Sequence, residues 1–427
     1  MPHSPPQLKR RQNALYNRVI LSMIRFIDHP QGNPFMHTAE RLAKIPPYLF
    51  MTLRNKINAA KAQGVDVISL AIGDPVDPTP ARVVEALARA ASDPENHRYP
   101  TDEEWGMLAF RQAVARWYAR RYAVNLDPAK EVIALIGSKE GCHHFALGVV
   151  NPGDVVLVTD PGYPGYKPSI WFAGAEPYPV AMEEASGYLP KLEEIPSDIA
   201  KKASALYLNY PNNPTGAVAT RGFLDELVAF ARANDIAVCY DNPYSEIVFG
   251  VERLSFLSVP GAKDVGVELN SLSKPFNMTG WRIGMACGNP DIVGAIAQVK
   301  SNTDSGVFNA IQYAGIEALD HCDDFTEKMV AVYAGRRDKT LATLRGLGWR
   351  YEPPQGTFYL WAPTPKGYTS SEFCEFVFEQ CAVVTAPGAA YGEHGEGYFR
   401  ISLTVNEDHL EEALQRMQDS LPPFEFV

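Results

Sequence analysis

Short apolar runs alternate with helical patterns through the middle of the chain, and no other feature constrains its fold as much. The apolar runs that we predict as strands are residues 131–136, 154–159, 204–209, 236–240, 264–269 and 281–287. Helical patterns, such as the one at 222–233, separate them. This alternation is typical of βαβ units, which build a mostly parallel sheet covered by helices. The sequence therefore predicts an α/β fold for this region.

Polar clusters directly follow these predicted strands. They are Gly-Ser-Lys-Glu-Gly at 137–141, Asp-Pro-Gly-Tyr at 160–163, Tyr-Pro-Asn-Asn-Pro-Thr-Gly at 210–216, and the single carboxylate of Asp241. In open sheets of this class, ligands bind beyond the carboxyl ends of the strands. We therefore expect these clusters to form one site.

The pattern changes after about residue 315. Helices are predicted at 323–347, 371–381 and 407–420, and strands at 356–361 and 398–403. Antiparallel strands with helices on one face would form a smaller α+β domain. We expect an N-terminal extension over 1–36, a segment over 37–80 that joins the small domain, a large domain over 81–315 and a small domain over 316–427.

The segment before the large domain carries two further predictions. An apolar run at 65–72 ends in a turn at Gly73-Asp74-Pro75, where the proline and glycine break regular structure. A helical pattern follows at 80–91, and Thr79 is placed to act as its N-cap.

Composition excludes several classes of protein. The chain has 427 residues, of which 46% are apolar and 21% charged, as in an ordinary soluble protein. A net charge of −11 without a basic block argues against a nucleic-acid partner. Six cysteines form no Cys-x-x-Cys pair, which favours free thiols in a reducing compartment over disulfides or a zinc site. No apolar run reaches the length of roughly 18 residues that a membrane span requires. We expect a cytoplasmic protein with no metal site.

The first 27 residues are basic, with five lysines and arginines and no acidic residue before Asp28. Three interpretations stand: an organelle transit peptide, a basic surface helix, or extra residues upstream of a natural start at Met23 or Met36. We favour a dispensable extension, whose removal over residues 1–35 should leave activity intact.

Lys274 is the most informative single residue. It follows an apolar run, has Ser271 and Ser273 just before it, and precedes Arg282 by eight positions. A lysine at the end of a buried strand loses hydration, which lowers its pKa and frees the amine as a nucleophile. Nearby hydroxyls and an arginine suit a phosphate. The set indicates a Schiff-base lysine beside pyridoxal phosphate, although Lys274 taken alone is more simply a solvated loop lysine.

The other groups that this cofactor requires have candidates elsewhere in the chain. Asp241 ends a predicted strand and would keep the ring nitrogen protonated, so that the ring can accept electrons; alternatively it is a turn residue. Tyr244 and Asn213 could bind the 3′ oxygen of the ring. Tyr163 could stack on the ring face, or it could be a buried tyrosine with a bonded hydroxyl.

Two further sites would bind anions. The turn at 137–141 opens a helix, so that the amides near Ser138 and Lys139 could bind the cofactor phosphate together with Ser271, Ser273 and Arg282. Arg400 is a charge inside the apolar run at 398–403, where an unpaired charge is costly. It either holds the α-carboxylate of a substrate amino acid or forms a structural salt bridge.

These motifs occur together in one known family. Asn-Pro-Thr-Gly at 213–216, Asp241 with Tyr244, Ser-Leu-Ser-Lys at 271–274, Arg282 and Arg400 resemble the class I aminotransferases of the fold-type I pyridoxal-phosphate enzymes. Within them, Asn-His-Arg-Tyr-Pro at 96–100 and Ser-Gly-Val-Phe at 305–308 are similar to the LL-diaminopimelate aminotransferases. The resemblance covers about residues 45–420. It implies a mostly parallel seven-stranded sheet in the large domain, with a smaller α+β domain.

The resemblance also implies roles for matching residues. Lys274 would carry the cofactor as an aldimine and move the proton during transfer, Asp241 would pair with the ring nitrogen, and Tyr244 would act beside them. The implied cofactor-binding residues are Tyr99, Ser138, Lys139, Tyr163, Asn213, Asp241, Tyr244, Ser271, Ser273, Lys274 and Arg282, with Tyr99 reaching the neighbouring subunit's phosphate. The Gly73 backbone, Asn213 and Arg400 would hold the substrate. The family forms homodimers with shared sites.

The segment 101–105, Thr-Asp-Glu-Glu-Trp, is about two residues longer than in relatives of this kind. In the family this loop contacts the distal end of the substrate across the dimer. Glu103 or Glu104 could therefore pair with the second ammonium of diaminopimelate. The alternative is a solvated acidic turn.

Three activities follow from these observations. The leading hypothesis is transfer of an amino group from LL-2,6-diaminopimelate to 2-oxoglutarate, in lysine biosynthesis. The second keeps the reaction with another donor, such as aspartate, alanine, glutamate or an aromatic amino acid. The third is a pyridoxal-phosphate lyase or decarboxylase. A regulatory protein is disfavoured, because no DNA-binding pattern precedes the domain.

Overall fold

The computed structural model of the protein describes residues 38–47, 49–100, 102 and 105–426. The whole N-terminal extension over 1–36, together with Glu103 and Glu104, lies outside the described residues. The chain divides into one unit that ends at Pro46 and a second unit that spans Pro47–Val427. Of the first unit, residues 38–46 are described, with Glu40–Lys44 in a 3-10 helix.

The strands fall into one large sheet and two small ones. Their bounds are β1 Ile68–Ser69, β2 Val132–Leu135, β3 Val155–Asp160, β4 Glu176–Ala181, β5 Ala203–Asn209, β6 Ala237–Asp241, β7 Gly266–Ser271, β8 Gly284–Gly288, β9 Tyr359–Pro363, β10 Val383–Val384, β11 Ala386–Pro387 and β12 Tyr398–Ser402. The large sheet has seven strands in the order β2-β8-β7-β6-β5-β3-β4. All neighbours in it are parallel except β8, which is antiparallel to β2 and β7. The predicted α/β class with a mostly parallel seven-stranded sheet is confirmed.

The helices are α1 Leu49–Ala62, α2 Ala81–Ala91, α3 Leu108–Tyr122, α4 Ser138–Val149, α5 Tyr166–Phe172, α6 Ser197–Ala200, α7 Arg221–Asn234, α8 Ala262–Val265, α9 Pro290–Ser301, α10 Asn309–His321, α11 Asp323–Gly346, α12 Ser370–Cys381 and α13 Glu407–Ser420. None of the described helices is long and apolar enough to cross a membrane.

Two details of the sequence prediction were wrong. Strand β4 was missed, because its prolines Pro177 and Pro179 argue against a strand; β4 lies at the sheet edge, where a residue without an N–H is tolerated. Thr79 does not cap α2, because Pro80 takes the cap position, with no side-chain hydrogen bond. The Thr79 hydroxyl donates instead to the Asn277 carbonyl at 2.8 Å.

The large sheet separates two hydrophobic cores. On β5, Leu206 and Leu208 point into the core that contains Trp117 and Phe223, whereas Tyr207 points into the opposite core. Successive residues of a strand face opposite sides, so a strand buried on both faces reads as a continuous apolar run. This packing fixes the strands in place and leaves their carboxyl ends to form a surface for ligands.

A third core lies under the C-terminal elements. The antiparallel sheet β11-β12-β9 and helices α11, α12 and α13 surround Trp349, Phe373 and Phe399. Ile68 of the predicted run at 65–72 packs into this core as well, and β1 pairs in parallel with β10. Only two residues of that run form a strand, since its partner β10 is equally short.

All six cysteines are buried and free, as the sequence predicts. Cys142 and Cys239 lie in the core on the Tyr207 side of the large sheet. Burial there raises the pKa of both thiols. A buried protonated thiol behaves as a small apolar group.

Candidate active site

A cavity of about 510 Å³ opens at the carboxyl ends of the central strands. Asn209, Asp241 and Ser271 end β5, β6 and β7 and line it from below. The complete lining is Arg54, Ile72, Gly73, Asp74, Ser138, Lys139, Tyr163, Asn209, Asn213, Asp241, Pro243, Tyr244, Ser271, Ser273, Lys274, Thr279, Arg282 and Tyr359. The cavity is therefore the place where the predicted polar clusters meet.

One end of the cavity has the donors of an anion site. Helix α4 begins at Ser138, directly after Gly137 with φ 101°, and the free N–H groups of a helix start attract anions. The Arg282 guanidinium lies against the same turn, since a Cβ on Gly137 would come within 2.4 Å of Arg282 Nη2. Only glycine permits this close approach at a positive φ.

The serines complete this end of the cavity. Ser271 Oγ donates to Ser273 Oγ at 2.9 Å, and Arg282 Nη1 lies 3.5 Å from Ser273 Oγ. Arg282 Nη1 also donates to the Thr279 carbonyl at 2.8 Å, which holds the guanidinium in place. Two hydroxyls, an arginine fork and a helix start form a cup with the chemistry of a phosphate site.

Lys274 extends into the middle of the cavity, where its Nζ donates to the Gly73 carbonyl at 2.7 Å. Burial lowers the pKa of this amine to about 8. The nearby carboxylate of Asp74 raises this pKa, and the positive charges of Arg282 and Arg400 lower it further. A lowered pKa leaves more of the amine neutral and nucleophilic near pH 7.

Gly73 must be a glycine for a local reason. A Cβ at this position would lie 1.8 Å from the Tyr359 hydroxyl oxygen. The backbone of residue 73 can therefore reach Lys274 only without a side chain.

Asp241 is buried at the base of the cavity. Its Oδ2 accepts a hydrogen bond from the Tyr166 hydroxyl at 2.7 Å, whereas its Oδ1 makes no hydrogen bond of ordinary geometry with any described residue. Burial raises the pKa of this carboxyl to about 6, against the opposing effects of Tyr166 and Ser138. A buried carboxylate oxygen that faces a cavity without a partner is suited to a cationic N–H of a ligand.

Asn213, Tyr244 and Arg400 form one buried network beside this carboxylate. Arg400 Nη1 donates to Asn213 Oδ1 at 2.6 Å, and Nη2 donates to the Ala71 carbonyl at 2.5 Å. The Tyr244 and Tyr359 hydroxyls lie 3.2 Å apart, and the Tyr359 ring packs against the Arg400 guanidinium at 3.9 Å. The arginine is held by amide, carbonyl and ring contacts.

The structure brings most of the predicted site residues together. Those that line the cavity are Gly73, Ser138, Lys139, Tyr163, Asn213, Asp241, Tyr244, Ser271, Ser273, Lys274 and Arg282. Arg400 lies directly behind Asn213 and is fully buried. Tyr99 is 76% exposed and lies outside this lining. Glu103 and Glu104 lie outside the described residues.

Sequence reasoning missed several residues of the site. Asn209 joins two predicted ones, since its side chain donates to the Asp241 carbonyl and accepts from the Asn213 N–H, both at 2.7 Å. Its place at the end of a predicted strand was a usable signal. Tyr166, Tyr359 and Arg54 had none, because each reaches the site from an element distant in sequence.

Comparison with known proteins agrees with this geometry. The aminotransferase class I and II family matches residues 65–417, and the chain belongs to it. An LL-diaminopimelate aminotransferase from Moorella thermoacetica is 52% identical over 392 residues, which cover 92% of this chain and 100% of the relative. One from Halothermothrix orenii is 50% identical, covering 90% and 99%. The substrate-bound BacF structure from Bacillus subtilis superposes with a TM-score of 0.88 at 36% identity, covering 92% and 100%.

The protein is thus an aminotransferase, and it uses pyridoxal phosphate, the cofactor of this family. The cavity fits that group. It has a phosphate cup at one end, a nucleophilic amine for the aldehyde in the middle, and at the base a buried carboxylate oxygen, Asp241 Oδ1, for the ring nitrogen. Its substrates are amino acids and 2-oxo acids.

Proposed function

We propose that this enzyme transfers an amino group from LL-2,6-diaminopimelate to 2-oxoglutarate, which yields a 2-amino-6-oxo acid and glutamate. The observation that carries this proposal is the likeness to two LL-diaminopimelate aminotransferases, at 50–52% identity over almost their whole length. A role in lysine biosynthesis and a cytoplasmic location follow from the same proposal.

The cofactor would be held by the groups already described. Ser138, Lys139, Ser271, Ser273 and Arg282 would bind its phosphate. Asp241 would pair with the ring nitrogen, while Asn213 and Tyr244 would bind the 3′ oxygen and Tyr163 would cover one ring face. When bound, pyridoxal phosphate supplies an aldehyde that links to amines and a ring that accepts electrons from the substrate carbon.

Lys274 is the proposed catalytic base. Its Nζ would take the proton from the Cα of a bound substrate amino acid. A pKa of about 8 suits this task, because a general base works best when its pKa lies near the working pH. The Gly73 carbonyl, 2.7 Å from Nζ, would orient the amine for this task.

Arg400 would hold the substrate α-carboxylate together with Asn213 and the backbone at Gly73. The guanidinium is positioned by the Asn213 amide, the Ala71 carbonyl and the Tyr359 ring. A rigid planar fork binds a carboxylate with less loss of side-chain entropy than a flexible lysine would. This hold would orient the Cα–H bond towards Lys274.

We further propose a homodimer in which each site is completed by its partner. Tyr99, Phe308 and Tyr313 are aromatic residues that are exposed on the single chain, and aromatic residues are enriched at protein interfaces. Tyr99 would reach the phosphate of the neighbouring subunit. Glu103 or Glu104 would meet the second ammonium of the donor there.

A half-reaction tests the proposal directly. Purified holoenzyme is mixed with one amino acid at a time, and the absorbance band of the aldehyde form of the cofactor is followed. LL-diaminopimelate should convert that band to the amine form, whereas aspartate, alanine and aromatic amino acids should do so far more slowly. Conversion by one of these and not by LL-diaminopimelate would overturn the substrate assignment. Release of pyruvate or carbon dioxide would point to a lyase or decarboxylase.

A further inference from the structure

The lining of the cavity contains four cationic side chains, Arg54, Lys139, Lys274 and Arg282. Three of them have tasks in the proposed function: Lys139 and Arg282 at the phosphate cup, and Lys274 at the aldehyde. Arg54 has none. Its guanidinium forms no hydrogen bond or ion pair with any described residue.

Helix α1 holds Arg54 at the mouth of the cavity. Leu53, Ile57 and Ala60 form the buried stripe of this helix. At roughly 100° per residue, Arg54 projects from one flank of that stripe and Lys56 from the other. Lys56 forms an ion pair with Glu375 of α12, and its amine lies 4.5 Å from the centre of the Phe378 ring. These contacts on one flank orient the helix so that the other flank faces the cavity.

The position of Arg54 matters because of what the two proposed substrates share. Both LL-diaminopimelate and 2-oxoglutarate carry a second carboxylate, at the end of the chain remote from the reacting carbon. Arg400 can hold only the first one. A ping-pong enzyme must accept both molecules in the same cavity, so a cation for the second carboxylate serves both half-reactions.

Of the two acidic side chains in the lining, neither neutralises Arg54. Asp241 lies at the base of the cavity, bonded to Tyr166. Asp74 accepts a hydrogen bond from the Thr279 hydroxyl at 2.6 Å and forms no ion pair with Arg54. The guanidinium is therefore available to an incoming carboxylate, which it can bind through two parallel N–H donors.

We propose that Arg54 recognises the second carboxylate of dicarboxylic substrates and so determines specificity for them. The inference rests on the proposed function, since it is the dicarboxylic donor and acceptor that need such a group. The proposed role is to bind the second carboxylate and not to move a proton, so loss of Arg54 should raise KM for dicarboxylates far more than it lowers kcat.

Binding of unreactive acids tests this inference without relying on any particular donor. Glutarate and butyrate are titrated into the pyridoxal-phosphate form of the wild type and of Arg54→Ala, and the change in cofactor absorbance gives each dissociation constant. Glutarate has the second carboxylate and butyrate lacks it. Arg54→Ala should weaken glutarate binding about tenfold, the range expected for one charge-assisted contact at a partly exposed site. Binding of butyrate should stay within about twofold.

Two further variants serve as controls. Lys61→Ala removes one positive charge from the exposed end of the same helix, outside the cavity lining, and should leave both acids bound as in the wild type. Arg54→Lys keeps the charge and should retain part of the glutarate affinity. Equal losses for glutarate and butyrate, or equal losses in Arg54→Ala and Lys61→Ala, would overturn the inference.

Steady-state kinetics then separate this inference from the proposed function. KM for 2-oxoglutarate should rise about tenfold in Arg54→Ala, whereas KM for pyruvate should not change. If LL-diaminopimelate fails as a donor in the wild type while glutarate binding still depends on Arg54, the proposed donor is wrong and the role of Arg54 stands. If LL-diaminopimelate is the donor and Arg54→Ala leaves glutarate binding unchanged, the proposed donor is correct and the role of Arg54 is wrong.

Discussion

Lys274 shows how the fold changes the chemistry of a single side chain. Its amine lies in the cavity, bonded to the Gly73 carbonyl, and burial lowers its pKa to about 8. At pH 7 about a tenth of such an amine is neutral, against roughly one part in three thousand for an ordinary lysine. The difference determines how readily the apoenzyme can react with an aldehyde.

The first prediction concerns this pKa. The rate at which apoenzyme combines with pyridoxal phosphate should rise with pH and level off above an apparent pKa of about 8, because only the neutral amine attacks the aldehyde. Stopped-flow absorbance between about pH 6.5 and 9.5 measures the rate, over a range set by that pKa. A rate that keeps rising towards the ordinary lysine value of 10.5 would contradict the buried position of the amine.

A second prediction concerns the same residue in the loaded enzyme. Lys274→Ala should abolish steady turnover, with a loss of at least about 10³-fold, since it removes both the covalent anchor and the proposed base. Circular dichroism should show an unchanged fold, because the amine bonds to a single carbonyl. The Lys61→Ala variant is the control and should keep full activity. Turnover by Lys274→Ala near the wild-type rate would overturn the mechanism.

At the scale of elements, the start of helix α4 is the clearest example of backbone serving a site. The preceding Gly137 has φ 101°, and the Arg282 guanidinium packs where a Cβ would stand. The helix N–H groups and the arginine then point at one place, as an anion site requires. Arg282 itself has φ 55°, a strained value that is tolerated where the surroundings hold it.

Gly137→Ala supplies the third prediction. The new Cβ would lie 2.4 Å from Arg282 Nη2, so the guanidinium must move and the phosphate loses a donor. We expect cofactor affinity to fall at least about tenfold, as for loss of one charge-assisted contact. The dissociation constant is measured by titrating apoenzyme with pyridoxal phosphate.

Gly153→Ala is the matched control for this variant. Gly153 has φ 88°, yet nothing lies within 4 Å of the added Cβ. The substitution therefore introduces backbone strain of a similar kind without touching the site. Both variants should lose some thermal stability, and only Gly137→Ala should lose cofactor. Equal affinities in the two variants would show that the close contact with Arg282 is unimportant.

At the scale of the whole molecule, the site depends on two cores. Asp241 and Ser271 stand at the ends of strands packed in the large sheet, whereas Arg400 and Tyr359 belong to strands β12 and β9 of the C-terminal sheet. We propose that residues 81–315 and 316–427 are the large and small domains, and that 37–80 joins the small one. Substrate binding would then bring groups of both domains against one molecule.

The fourth prediction tests the proposed sharing of sites between subunits. Tyr99→Phe should weaken cofactor binding about tenfold, since one hydroxyl contact to a phosphate is lost. Mixed with Lys274→Ala and refolded together, it should form hybrids in which one site combines a native Lys274 with a native Tyr99 from the partner. Cofactor titration of the mixture should therefore show a fraction of sites with wild-type affinity. A mixture that behaves as the sum of its two variants would contradict shared sites.

Much of the architecture was predictable because it depends on residues that are close together in the sequence. Six strands of the large sheet match predicted runs to within about three residues. Hydrophobic periodicity and the turns that end a strand both depend on residues that are neighbours in sequence. The seventh, β4, escaped because prolines at an edge strand resemble a loop. The polar clusters converged because parallel strands carry their carboxyl ends to the same edge.

Other features could not be predicted, since they arise between residues far apart in the chain. Tyr166 reaches Asp241 from a separate helix, and Tyr359 explains why residue 73 is a glycine. Arg54 lines the cavity from helix α1. The sequence pattern of that helix indicates only that this arginine is exposed. No local rule pairs such residues, because their contacts depend on how complete elements pack.

The sequence alone determined the class of fold and the set of groups that cofactor chemistry requires, because strand and helix periods and short motifs are properties of adjacent residues. Only the tertiary structure decided how those groups behave. Burial, which comes from packing, lowers the pKa of Lys274 and raises that of Asp241. Packing also places Arg54 in the lining of the cavity, where it bonds to no other residue that the structure describes. Exclusion of water is a property of the assembled fold, and for this reason it cannot be read from any one segment.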